Sequence, residues 1–274
     1  MKIINAGVTA PKGFKCAGLR AGVKPGKTNK DMAMIVSEVP AKIAGTFTKN
    51  IVKAAPVLWG KKIVEEQEAV RAVVINTGIA NACTGAEGFG YCEDTAKKAA
   101  AELNIAEDAV LVASTGVIGM QLPIQKLESG IEVMAKELSD TREAAHQAAC
   151  AIMTTDTISK EVAVTFEAGG KTVTVGGMCK GSGMIHPNMC TMLGFVMTDA
   201  AISKELLQEA LSADVCDTYN MISVDGDTST NDTVLLLANG MAENPEITEK
   251  NEDYWKFCEA LNYVNTAVSY THLT

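Results

Sequence analysis

The chain has 274 residues, enough for one large domain or two modest ones, with 47% hydrophobic and 21% charged residues, an ordinary globular balance. The formal net charge of −9 argues against a nucleic-acid partner, because binding a phosphate backbone requires clustered lysine and arginine. No apolar run reaches the ~20 residues of a membrane span, and the first residues lack the pattern of a signal or transit peptide. We therefore expect a cytoplasmic protein that binds neither nucleic acid nor membrane.

The residues that most often bind metals or act as bases show no motif. The eight cysteines are scattered without a C-x-x-C pair, so we expect reduced core thiols, no disulfide framework and no metal site. His146, His186 and His272 lack the partners of a Ser-His-Asp triad, so a transfer reaction would need a different base. The acidic segment 225–233 lacks the calcium-loop pattern, and we expect a hydrogen-bonded turn there.

In chain order, apolar runs of strand type alternate with amphipathic helical stretches, which is typical of the α/β class. Residues 72–77 predict a strand that is buried on both faces, because almost every residue in the run is apolar. The elements that follow are a helix over 92–103, a strand over 108–113, helices over 124–138 and 141–153, a hairpin of 161–166 and 171–175, a strand over 191–197, a helix over 203–211, a strand over 234–237 and a helix over 248–264. No linker requires a division into two domains.

Three segments rich in glycine and hydroxyl side chains follow predicted strands, at 76–85, 114–119 and 180–191. Ligands in α/β folds bind at strand ends, so we expect the functional site there. None of these segments fits a phosphate loop or a G-x-S-x-G elbow. The third could supply its own base, since breaking the bond before Thr191 frees an α-amine that can activate the Thr191 hydroxyl. Spacing alone leaves open an ordinary glycine-rich loop before a strand.

One segment carries a specific family resemblance. KGSGMIHPNMCTML, residues 180–193, resembles the cleavage and nucleophile motif of the ornithine acetyltransferase family, the bifunctional arginine biosynthesis proteins. Further family-like segments follow the same order along the chain: GVTAPKGFKCAG (7–18), GTFTKNIVKAAPV (45–57), NTGIANACTG (76–85), ASTGVIG (113–119), AIMTTDT (151–157) and VDGDTSTNDTVLLLANG (224–240). The chain is identified as a member of this family over nearly its whole length.

The resemblance implies an α/β fold with layered sheets flanked by helices, of the self-cleaving N-terminal-nucleophile type related to the DmpA/ornithine acetyltransferase fold. It implies autocleavage between Cys190 and Thr191, which gives an α-chain of residues 1–190 and a β-chain of residues 191–274. Cys190 is then the end of the α-chain, and Thr191 is the nucleophile.

The same resemblance assigns roles to residues before the cleavage site. Thr115 and Gly116 correspond to the family's oxyanion pair, and Thr154 and Lys180 correspond to substrate-binding positions, together with the nucleophile. The Lys180 ammonium could bind the carboxylate of an amino acid as a point charge. The neighbouring Thr155 could serve in place of Thr154.

The implied reaction is ping-pong transfer of an acetyl group from N-acetylornithine to Thr191 and then to glutamate, with no metal or cofactor. Acetyl-CoA is a further donor in some members of the family. One alternative is an N-terminal-nucleophile amidase or aminopeptidase, in which water accepts the acyl group. Another is an inactive, uncleaved fragment. The resemblance also implies self-association of αβ units.

The end of the chain departs from the family pattern. Family chains continue well past residue 274 with a Gly-Glu-Gly motif and further substrate ligands. Residues 268–274 do not resemble the family. We expect a truncated gene product in which these last residues are non-native.

Overall fold

The computed structural model describes residues 1–24, 26–181, 192–223 and 227–270. Within them the strands are β1 (Lys2–Ile4), β2 (Phe14–Leu19), β3 (Met32–Phe47), β4 (Ala69–Ile79), β5 (Val110–Val117), β6 (Lys160–Ala168), β7 (Lys171–Lys180), β8 (Leu193–Thr198) and β9 (Thr233–Ala238). They form one sheet in the order β1-β6-β7-β8-β9-β3-β4-β5, and β2 pairs with β3 outside this path.

The helices cover both faces of the sheet. They are α1 (Ala55–Glu66), α2 (Glu87–Leu103), α3 (Ile124–Glu137), α4 (Arg142–Ala151), α5 (Lys204–Asp217) and α6 (Glu252–Tyr270), with short 3-10 turns at Glu107–Ala109 and Tyr219–Met221. One buried apolar cluster includes side chains of α1 to α4, and a second includes side chains of α5 and α6. This arrangement confirms the predicted α/β fold with a layered sheet between helices. Among the described helices, none combines the length and apolar character needed to cross a membrane.

Strand β3 connects the two halves of the sheet. One of its edges pairs along β4, and the other is divided between β2 at residues 32–37 and β9 at residues 42–47. The register shifts between Val36 and Ala41, so β3 bulges at the point where its neighbour changes. Two pairs of strands, β4 with β5 and β8 with β9, run parallel. The parallel pair β4 and β5 brings two strand ends to one edge of the sheet, where the candidate site lies.

Several predicted elements are confirmed with different bounds. The strand predicted over 72–77 lies in β4, and its consecutive residues are buried as expected. The strand predicted from 108 begins at Val110, because Glu107–Ala109 form a 3-10 turn. The helix predicted over 203–211 extends to Asp217, with Ser203 as its N-cap.

The second strand of the predicted hairpin is longer than expected and contains two glycines. Its turn residues Gly169 and Gly170 both have positive φ, as a tight turn requires. The second strand was predicted to end at residue 175, but β7 continues to Lys180 through Gly176 and Gly177. A Cβ at Gly176 would lie 2.3 Å from the Gly7 carbonyl oxygen, so the absence of a side chain lets another backbone segment pack against the strand.

Other elements differ from the prediction. The long strand β3 and the shorter β1 and β2 fall in a region where no strand was predicted. Helix α4 ends at Ala151 rather than 153, and α6 covers Glu252–Tyr270 rather than 248–264. Cys190 and Thr191 lie outside the described residues.

Candidate functional site

The ends of β4 and β5 form the floor of the candidate site. Asn76 pairs with Ser114 across the two strands, and the Ser114 hydroxyl donates to Asn76 Oδ1 at 2.6 Å. Two residues further on, Gly78 pairs with Gly116. Gly116 has a φ of 137°, and a Cβ there would lie 2.2 Å from the Gly78 carbonyl carbon. A glycine at position 116 is therefore required for the two strand ends to meet.

Lys180 ends β7 and reaches this floor. Its Nζ donates to Thr115 Oγ1 at 3.3 Å, and the residue is only 4% exposed. Burial lowers the Lys180 pKa below its ordinary value of 10.5, while the Asp156 carboxylate acts in the opposite direction. A buried ammonium that faces a hydroxyl at a strand end can bind an anionic group and polarise the hydroxyl.

A cavity of about 400 Å³ lies over these residues. Its lining residues are Ala80, Thr115, Gly116, Ile118, Thr154, Thr155, Lys180, Ser229, Thr230 and Asn231. The volume is in the range of small-molecule sites. The structure therefore brings Thr115, Gly116, Thr154 and Lys180 together at one cavity, and the roles assigned to them stay predictions. Thr155 lines the same cavity, so the alternative to Thr154 stays open.

A second cavity of about 430 Å³ adjoins the first. Its lining residues are Lys24, Lys27, Asn29, Gly78, Gly116, Val117, Thr154 and Thr155. The Lys24 ammonium donates to the carbonyl oxygens of Lys30 and Met153, at 2.9 and 2.7 Å. This second cavity therefore carries two ammonium groups beside the floor of the first, a feature that no sequence pattern predicts.

A buried ion pair holds the residue that follows Lys180. Asp156 Oδ1 accepts from the Gly181 backbone N–H at 2.7 Å, and Lys160 Nζ donates to the Gly181 carbonyl oxygen. The other Asp156 oxygen accepts from the Thr154 N–H at 3.2 Å. One carboxylate thus ties a cavity-lining threonine to the end of β7. Neither Asp156 nor Lys160 stands in a pattern from which the sequence predicts a role.

The polar segment before β9 also contributes to the site. Asn231 Nδ2 donates to the carbonyl oxygens of Ala80 and Ser114, at 2.6 and 2.8 Å. Its backbone N–H donates to Ser229 Oγ, so the described part of the predicted turn is hydrogen-bonded. Seven of the eight residues 225–232, which precede the apolar strand β9, are polar, and this concentration of polar side chains is the sequence signal that could have indicated a cavity wall.

Asp232 fixes the backbone immediately after Thr191. Its Oδ1 accepts from the Met192 N–H at 3.1 Å, and its Oδ2 is buried without a hydrogen bond from the described residues. Burial raises the pKa of the Asp232 carboxyl well above its ordinary range. The described residues contain no group of His, Cys, Asp and Glu side chains arranged to hold a metal ion.

Comparison with known sequences gives one family. The sequence model of the ArgJ family matches residues 15–272. The arginine biosynthesis bifunctional protein ArgJ of Caldanaerobacter subterraneus is 51% identical over 269 residues, which are 98% of this chain and 66% of the relative. That of Thermotoga neapolitana is 49% identical over 260 residues, 94% of this chain and 64% of the relative. The chain thus spans just under two thirds of the length of these relatives.

Solved structures agree with this comparison. A chain of the ArgJ protein from Bacillus halodurans superposes with a TM-score of 0.64 at 41% identity, over 69% of this chain and 96% of the solved one. A chain of the Mycobacterium tuberculosis ornithine acetyltransferase, complexed with ornithine, gives 0.60 at 39% identity, over 68% and 97%. An aminopeptidase of Ochrobactrum anthropi, a variant of the Ntn-hydrolase fold, gives 0.56 at 12% identity over 98% and 86%. This last likeness concerns the fold alone.

Proposed function

The chain belongs to the ArgJ family, and from this premise we propose that it carries the site of an ornithine acetyltransferase, which moves an acetyl group from N-acetylornithine to glutamate. The observation that carries the proposal is the contact of Lys180 Nζ with Thr115 Oγ1, beside Gly116 in a cavity of amino-acid size. The relative from Mycobacterium tuberculosis was solved with ornithine, which supports the choice of substrate.

The contact suggests how the oxyanion is held. The Lys180 ammonium has only donors, so Thr115 Oγ1 accepts from it and the Thr115 hydroxyl hydrogen stays available. That hydrogen can be donated to the oxygen of the substrate carbonyl as it becomes negative. A buried cation close behind the hydroxyl favours the build-up of this charge.

Thr191 is the proposed nucleophile, released as an N-terminus by cleavage after Cys190. Its α-amine takes the proton of the Thr191 hydroxyl as the oxygen attacks the acetyl carbonyl, and ornithine leaves with that proton. Glutamate then attacks the acetyl ester through its amine, and the Thr191 hydroxyl is regenerated. Lys180 and Thr154 would bind the amino-acid part of each substrate.

The lengths of the solved relatives support the cleavage position. Nearly all of the Bacillus halodurans chain, 96%, corresponds to 69% of this chain. Residues 1–190 are also 69% of the 274 residues (190/274). An α-chain that ends at Cys190 would thus have nearly the length of the solved chain.

Acetyl-CoA is the proposed second donor. The cavity lined by Lys24 and Lys27 adjoins the catalytic one and shares Gly116 with it. Two ammonium groups there could pair with phosphates of a larger donor. Acetylation of glutamate by acetyl-CoA, measured without N-acetylornithine, tests this part of the proposal.

The decisive experiment compares the wild-type chain with Thr191→Ala. Each is incubated with acetyl-labelled N-acetylornithine and glutamate, and its mass is measured after denaturation. We expect labelled N-acetylglutamate and two fragments from the wild type, and neither from the variant. Release of free acetate without N-acetylglutamate would indicate a hydrolase instead. An uncleaved wild-type chain without product would indicate an inactive fragment and overturn the proposal.

A further inference from the structure

A second group of reactive side chains includes two residues of α4 that line neither cavity. His146 and Cys150 are one helical turn apart and therefore share a face of the helix. Cys150 Sγ lies 3.7 Å from His146 Nε2, within the range of a sulfur hydrogen bond. The sequence predicts the helix that carries His146 and Cys150, but not the carboxylate that completes the group, because Glu161 lies on a different element.

A carboxylate from β6 completes the group. His146 Nδ1 lies 2.7 Å from Glu161 Oε1, and the second Glu161 oxygen accepts from Arg142 at 2.8 Å. The Glu161 side chain is 6% exposed, so its position is fixed by these contacts. An ionised carboxylate only accepts hydrogen bonds, so the contact with Glu161 places a proton on His146 Nδ1; in the neutral imidazole, Nε2 then has the lone pair that can accept the thiol proton.

The group has the order of atoms found in thiol nucleophiles activated by histidine: sulfur, imidazole, carboxylate. Its residues line neither cavity of the candidate site. Since no metal-holding cluster occurs among the described residues, thiol chemistry accounts for this arrangement better than metal binding. Cys150 is partly exposed, so a small reagent can reach it.

We propose that Cys150 is a modification site that forms mixed disulfides with small disulfides, with His146 as the base. The Cys150 thiol gives its proton to His146 Nε2 as the sulfur attacks one sulfur of the disulfide. The S–S bond of the reagent breaks, the released thiolate takes the proton from the imidazolium, and Cys150 remains as the mixed disulfide. Cys150 is oxidised and half of the reagent is reduced, so no other reactant is needed.

The surroundings explain why a base is required. Burial raises the pKa of the Cys150 thiol, and the charges of Glu161 and Glu143 act in the same direction, while Ser159 and Lys30 oppose them. The resting group is therefore the thiol, and a neighbouring proton acceptor determines the rate. Glu161 holds His146 in the tautomer that can accept the proton.

Cys216 is a matched control within the same chain. It is exposed, and its thiol donates to the Ser212 carbonyl one turn earlier on α5, at 3.4 Å, without a histidine in that contact. Exposure alone predicts that Cys216 reacts faster than the partly exposed Cys150. Activation by His146 predicts the reverse order.

The test incubates the native protein with oxidised glutathione and follows each cysteine by peptide mass spectrometry. We expect Cys150 to be modified faster than Cys216. His146→Gln should slow the modification of Cys150 by at least about tenfold, a conservative threshold because general-base catalysis usually contributes more than this. The rate of mixed-disulfide formation at Cys216 should be the same in His146→Gln as in the wild type. An unchanged rate there would indicate that the fold of the variant is intact. A slower Cys150 than Cys216 in the wild type, or a Cys150 rate unaffected by His146→Gln, would overturn the proposal.

Discussion

The Lys160 ammonium and the Asp156 carboxylate lie 3.7 Å apart, with each side chain only 1% exposed. Between them they bind both backbone groups of Gly181, the residue after Lys180. A buried pair of this kind has few other ways to satisfy its charges, so each partner depends on the other. The end of β7 is thus held by an ion pair rather than by packing alone.

Asp156→Asn should lower the free energy of unfolding by about 3 kcal/mol, because it leaves the buried Lys160 charge without its partner. Urea denaturation of both proteins measures the difference. Glu132→Gln is the control, since it removes a surface partner of Lys136 and should change stability very little. If the two substitutions lowered the free energy of unfolding equally, the buried Asp156–Lys160 pair would contribute no more to stability than a surface pair.

Lys180 should make substrate binding depend on pH. Because burial lowers its pKa below 10.5, the ammonium loses its proton at a lower pH than an exposed lysine would. The KM for N-acetylornithine should therefore rise as the pH increases through this lowered pKa. In Lys180→Arg, whose guanidinium stays protonated, the rise should disappear whatever the absolute KM. If KM depended on pH equally in both proteins, Lys180 would not be the group that binds the substrate carboxylate.

The lowered pKa of Lys180 also affects folding stability. Rising pH weakens substrate binding but should strengthen the contribution of Lys180 to stability. Between the lowered pKa of Lys180 and 10.5, the unfolded chain binds more protons at this position than the folded chain. The contribution of Lys180 to folding stability therefore increases with pH in this window. Comparing urea midpoints of the wild type and Lys180→Met across the window should show the wild type gaining relative to the variant. A constant difference would contradict the lowered pKa.

Thr115→Val should reduce kcat by about 10²- to 10³-fold with little change in KM, because it removes a donor that acts on the transition state. Steady-state kinetics of acetyl transfer measure both constants. Thr46→Val is a matched control: the Thr46 hydroxyl is buried without a hydrogen bond from the described residues, and Thr46 does not line the cavity. Its loss should leave kcat unchanged. A rise in KM alone for Thr115→Val would instead indicate a role in substrate binding.

Gly116→Ala should destabilise the protein and abolish transfer, because the new Cβ would lie 2.2 Å from the Gly78 carbonyl carbon. Gly119→Ala is the control for backbone strain alone. Gly119 also has a positive φ, but nothing lies within 4 Å of its Cβ position, so the added methyl group meets no neighbour. Melting temperatures of both variants measure the difference. A smaller loss of stability at Gly116 than at Gly119 would show that the strand ends can move apart.

Sequence motifs identified the residues of the proposed site, and the fold shows which other residues hold them in place. Lys180, Thr115 and Gly116 belong to segments whose composition is unusual in itself. Asp156 lies in one of the family-like segments, but its structural role could not be predicted there, since its partner Gly181 is distant in sequence and meets it only when β6 pairs with β7.

The long strand β3 was missed for a similar reason. Its residues are stabilised by neighbours on both edges, and Pro40 and the register shift interrupt its pattern. Five of the six described α-helices were predicted, because their apolar residues repeat within one segment, whereas α1 was not. Their ends depended on caps such as Thr141, whose side chain accepts from the Ala144 N–H.

The order of strands also determines what happens to two fragments after a cut between residues 190 and 191. The break falls between β7 and β8, yet β8 pairs along β7 and β9 pairs along β3. Each fragment therefore supplies neighbours that complete the sheet of the other. The two pieces should travel as one particle through native chromatography and separate only in denaturant, so a single native peak is the expected behaviour of a fully processed protein.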